Sequence, residues 1–224
     1  MGLVLGLLFS RLSPAVETTS AVANPVQASR FGLHRSRRVV LKLAALFALD
    51  AFAGGLIVQS LMAYWFHLRF GVEPAILGGI FFAANILAGL SALAAARIAA
   101  RFGLINTMVW SHIPSNIMLM LIPLMPNLSL AILVLLIRFS ISQMDVPTRQ
   151  SYIMAVVDPD ERSAAAGVTS IVRTAAVACA PVLTGTLISA SLLSVPFFLA
   201  GGLKIVYDLL LYRNFRTIKP PEER

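Results

Sequence analysis

The sequence predicts an all-α integral membrane protein, a bundle of about six transmembrane helices, and three observations carry that reading. Of 224 residues, 58% are hydrophobic and 12% charged, with mean hydropathy +0.84, whereas soluble domains are about 45–50% apolar and about 25% charged. The apolar residues form runs of about 20, the length a hydrocarbon core of roughly 30 Å asks of a helix. Most Lys and Arg residues lie between the runs, at alternate ends.

The runs cover residues 39–65, 75–96, 105–124, 128–146, 158–189 and 195–212. Loops of a few residues make neighbours antiparallel. The fifth run opens on Asp158-Pro159-Asp160-Glu161, a helix start with an acidic cap, Pro in the first position and acids in the first turn. Pro181, with no amide hydrogen, predicts a bend further on. Ala84, Ala88, Ser91 and Ala95 in the second run, and residues 164–167 in the fifth, form small-residue stripes of the kind that let helices pack closely.

Residues 39–216 thus form one six-helix domain, preceded by residues 1–38 and followed by a tail, 217–224. Residues 2–9 are apolar, and Ala21-Val22-Ala23 resembles a signal-peptidase site, but no basic residue precedes the run while Arg11 and Glu17 follow it. The segment reads instead as the stub of a preceding helix or an interfacial segment, and residues 10–38 as a linker. Arg30, Arg35, Arg37, Arg38, Lys42, Arg97, Arg101, Arg149, Arg162, Arg213, Arg216, Lys219 and Arg224 flank same-side ends, against Arg69 alone opposite. The positive-inside rule then predicts a multi-pass cell-membrane protein with both termini cytoplasmic. Tyr64 and Trp65 are expected in the outer aromatic belt.

The net charge of +8 does not indicate a nucleic-acid partner, because the basic residues punctuate apolar runs rather than cluster on a solvated face. Cys179 is the single cysteine, so no disulfide framework or thiolate metal site is expected, and a buried structural thiol is. His67 and His112 lack a ligating partner at helical spacing and read as polar or packing residues. No phosphate loop, nucleophile turn, cofactor pattern or metal pattern is visible, so no enzyme is expected.

Charges inside apolar runs are the informative residues, since each costs at least about 2.5–3.5 kcal/mol at mid-bilayer. Asp50 and Arg138 reach roughly mid-membrane at about 1.5 Å per residue and are candidates for a substrate or ion pathway. Arg173 lies deep in the fifth run and is open to either pairing or cavity lining. Lys204 and Asp208, four apart, have the spacing of a local structural ion pair.

Three segments carry a resemblance. Residues 96–105 read Ala-Arg-Ile-Ala-Ala-Arg-Phe-Gly-Leu-Ile, the fourth run ends on Asp145-Val146-Pro147-Thr148-Arg149, and Asp158-Pro159-Asp160-Glu161-Arg162 follows. They resemble, in order, the Gly-x-x-x-Asp-Arg-x-Gly-Arg-Arg loop, the acidic-x-x-x-Arg helix ending and the next helix start of the major facilitator superfamily (MFS). In the loop, Arg101 and Gly103 match, while Ala96, Ala100, Leu104 and Ile105 depart as in the degenerate form of second halves. Residues 30–216 are similar to the C-terminal six-helix half of such a transporter.

The resemblance implies that the first and fourth helices line a cavity containing Asp50 and Arg138. It also implies that the second and fifth form an interface between halves, with the third and sixth outside carrying Lys204 and Asp208. Arg101, Gly103, Asp145 and Arg149 would form a cytoplasmic gate. The partners implied are the lipid bilayer, a small-molecule solute, and either a missing N-terminal half or a second copy of the chain. The function expected is secondary active transport by alternating access, with proton-coupled efflux as the family analogy. The alternative is a noncatalytic membrane scaffold or assembly partner whose buried charges only pair helices.

Overall fold

In hydrocarbon each backbone N–H and C=O must be bonded within the protein, which turns long apolar runs into helices. A computed structural model describes residues 32–216; the expectations for residues 1–31 and for the tail lie outside the described residues. The helices are α1 (Arg37–Leu56), α2 (Gln59–Phe70), α3 (Pro74–Phe102), α4 (Leu104–Leu121), α5 (Leu128–Ser142), α6 (Asp145–Val156), α7 (Arg162–Ser189) and α8 (Val195–Phe215). Short 3-10 turns at Ile122–Leu124 and Pro159–Glu161 extend α4 and lead into α7. Together they make 6 segments long and apolar enough to cross a membrane: Arg37–Phe70, Pro74–Phe102, Leu104–Leu124, Leu128–Val156, Pro159–Ser189 and Val195–Phe215.

Two spans are interrupted where one continuous run was expected. The first breaks between α1 and α2 after the Gly54-Gly55 pair, where helix propensity is lowest. The fourth breaks at Gln143-Met144, then restarts and continues well past the expected end. Pro147 explains this break, because its ring opposes a helical carbonyl four residues back, at Gln143. α7, by contrast, stays helical through Pro181.

The helix ends also differ from expectation. Asp158 makes no side-chain cap. Instead, fully buried Glu161 reaches across to the start of α1, where its carboxylate accepts the backbone N–H groups of His34, Arg35 and Ser36 at 2.6, 2.8 and 2.8 Å. Ser36 Oγ in turn accepts the Asp158 N–H at 3.2 Å. The contact holds the backbone that leads into α1, whose N-cap residue is Ser36, and so ties the start of α1 to the beginning of α7. Gly103 joins α3 to α4 with φ 86°, a backbone state that a side chain rarely adopts.

Packing follows an internal repeat. The first span packs chiefly against the fifth and sixth, the fourth against the second and third, and the third against the sixth. This pattern is unchanged when spans one to three are exchanged with spans four to six. Because each unit has three crossings, the units run in opposite directions, the arrangement of an inverted repeat. The approach of α1 to α7 is close: a Cβ on Gly55 would lie 2.7 Å from Ala180 Cβ, as small-residue contacts allow. Ala84, Ala88, Ser91 and Ala95 are buried along one face of α3, whereas Gly167 on α7 faces open space.

Two apolar cores result. One gathers Trp65, Phe66, Phe81, Leu119, Leu135 and Phe197, and the other gathers Phe47, Tyr152, Tyr207, Leu211 and Phe215 toward the ends that carry the basic residues. Trp65 is only 2% exposed, set edge-on to Phe66, Phe70 and Phe197, so it is a core residue rather than a belt residue, while Tyr64 is exposed. Cys179 is exposed on α7 and is not the buried thiol expected.

Candidate functional site

The second core surrounds a charge network, and every span but the second contributes to it. Asp50, 4% exposed, lies about 20 Å from the start of α1 at 1.5 Å per residue. Its Oδ1 accepts Lys204 Nζ of α8 at 2.6 Å, and its Oδ2 accepts Nη1 of Arg149 on α6 at 2.9 Å and of Arg173 on α7 at 3.3 Å. One carboxylate therefore gathers cations from three helices. Arg149 also lies 3.3 Å from Asp145 Oδ2 one turn back, and its guanidinium sits 5.4 Å from the Phe47 ring centroid.

Asp208 does not pair with Lys204 as the spacing suggested. Lys204 turns to Asp50, and Asp208 turns to α4, where His112 Nδ1 lies 2.9 and 3.1 Å from its two oxygens and Asn116 Nδ2 donates at 3.3 Å. With Asp208 ionised, and so only an acceptor, His112 donates from Nδ1, and its Nε2 lies 4.0 Å from Asp50 Oδ1. Tyr207 closes the site, buried against Phe47 and His112. Its hydroxyl has no hydrogen-bond partner among the described residues.

Asp50, Asp145 and Asp208 therefore face Arg149, Arg173 and Lys204, a balance of charge inside the spans with imidazole His112 between two of the acids. Ions in a low-dielectric setting persist only when paired and hydrogen-bonded, and here each acid has at least one partner.

Arg138 stands apart. Its guanidinium carbon is 5.1 Å from the neighbouring Phe139 ring centroid, its buried Nε has no hydrogen-bond partner, and no acid among the described residues pairs with it. It is not brought to Asp50. Arg101, placed in a gate with Asp145 and Arg149, is exposed and lies over Phe102 at 5.5 Å; those other two residues belong to the Asp50 network. Gly103 is the helix junction described above.

Sequence reasoning missed His112, Asn116, Tyr207 and Glu161. His112 and Asn116 are four apart on one face of an apolar helix, a polar pairing that could have flagged α4. Beside the network, a cleft of about 810 Å³ between α1, α6 and α7 is lined by Arg149 and Arg173.

Six membrane-crossing helices enclosing a paired charge network define the class: an all-α integral membrane protein. In keeping with that, the chain is 31% identical over 174 residues to the uncharacterized membrane protein YJR124C of Saccharomyces cerevisiae, a match covering 77% of this chain. The match spans 39% of the yeast protein. No family model matches the chain, and no solved structure does.

Proposed function

We propose that the protein works in secondary active transport of a small solute by alternating access, as one six-helix half of an MFS-like transporter. The observation that carries this reading is the Asp50 network: one deep carboxylate bonded to cations on three different helices. Intramembrane ionisable residues mark ion and substrate pathways by default. Further support comes from the three-plus-three packing pattern, a common transporter build, and from the resemblance of the loops at residues 96–105 and 145–162.

In this reading Asp50 exchanges partners as the spans rock. The pair formed by Asp208 and His112, buried beside Asp50, offers a place for a coupling proton. The chain lies in a cell membrane with both ends cytoplasmic and completes its cavity with a second six-helix unit, either an N-terminal half or a second copy. The test is reconstitution into proteoliposomes with the oligomeric mass measured in parallel. Solute or proton flux that D50N abolishes supports transport. Absence of flux under every imposed gradient, from an assembly that is folded and of defined mass, would favour the scaffold reading.

A further inference from the structure

We propose that the cleft between α1, α6 and α7 binds the charged group of an organic anion, a carboxylate or a phosphate, with Arg173 as its principal ligand; this rests on the transport reading and names its substrate class. The first support is the charge that faces the cleft. Arg149 and Arg173 both line it, and arginine cannot shed its proton there.

The second support is the donor inventory of Arg173. Its side chain is 31% exposed and a single nitrogen, Nη1, is engaged, by Asp50. A guanidinium has five donor hydrogens, so a planar fork remains to meet a carboxylate or phosphate. Arg149 beside it is 9% exposed and already holds two carboxylates, so it contributes field rather than free donors.

The cleft fits such a ligand. Its volume of about 810 Å³ lies within the roughly 300–1,000 Å³ of small-molecule sites. No Asp or Glu is among its lining residues. Ser170, one turn before Arg173, supplies a hydroxyl, and Phe47 and Ile153 supply an apolar wall. The chemistry is that of an anion with an apolar body. The same anionic group could arrive on a free solute or on a lipid headgroup.

The experiment places the full 224-residue chain in phosphatidylcholine nanodiscs and follows 4-fluorobenzoate by fluorine NMR, with 4-fluorobenzyl alcohol as the neutral counterpart. Benzoate is expected to bind and the alcohol at least about tenfold more weakly. R173Q should lose about tenfold or more, the equivalent of one charge-assisted hydrogen bond, and R173K should recover part. S170A, which leaves the Asp50 pairs intact, should lose several-fold and guards against misfolding of R173Q. If phosphatidylglycerol nanodiscs suppress benzoate binding through Arg173, the native anion is a headgroup and the site stands.

Equal affinity for benzoate and the alcohol, no benzoate binding, or full binding by both R173Q and S170A overturns the proposal. Anion binding without flux in proteoliposomes would sink the transport reading and leave the site. Flux of an uncharged or cationic solute without anion binding would do the reverse.

Discussion

The two cores of this bundle are held by different physics although α1 and its continuation α2 run through both. Around Trp65, Phe66 and Phe197 the contacts are aromatic and apolar, and between apolar helices in lipid the attraction is mainly van der Waals packing. Around Asp50 the contacts are directional, with fixed donors and acceptors at 2.6 to 3.3 Å. Packing tolerates small slips of one helix on another, whereas an ion network has discrete arrangements and loses much when one partner leaves. On the transport reading, the charged core is where a change of state is registered, and the aromatic core is the fixed end.

Substitutions can sharpen that contrast. D50N leaves three cations without their shared anion and should cost about 3–5 kcal/mol, read as a lower midpoint in an SDS titration of helicity. D50N/K204M should recover part of it. F197A removes a fully buried ring from the aromatic core and should cost about 2–3 kcal/mol, at or below the soluble-core range because lipid-bathed helices lack a hydrophobic drive. Flux corrected for folded protein should survive it, and flux lost in F197A but not in D50N would reverse the assignment of the two cores.

E161Q weakens three backbone acceptor contacts at the start of α1 and should cost about 1–3 kcal/mol, seen first as faster amide exchange at residues 34–36. H112Q keeps a donor for Asp208 and should cost about 1 kcal/mol. Its signature is a loss of proton flux greater than any loss of folded protein, and unchanged proton flux would remove His112 from proton coupling. R138M deletes a cation with no acidic partner and should raise stability by about 1 kcal/mol; a fall in flux alongside would mark Arg138 as functional despite its cost.

The sequence alone determined the number of spans, their approximate limits and the residues whose charge is out of place in an apolar run. Hydrocarbon thickness sets helix length and penalises ions one residue at a time, so those features can be read locally. Asp50, Arg138, Arg173, Lys204 and Asp208 are legible for that reason. Tertiary structure alone decided the partners. Lys204 chose Asp50 on another helix over Asp208 four residues away, Arg149 bonded Asp50 as well as Asp145, and Glu161 bound the backbone ahead of a helix more than 120 residues earlier. Pairing depends on which helix faces meet, and that is fixed by the three-plus-three packing of the whole bundle rather than by the residues near each charge.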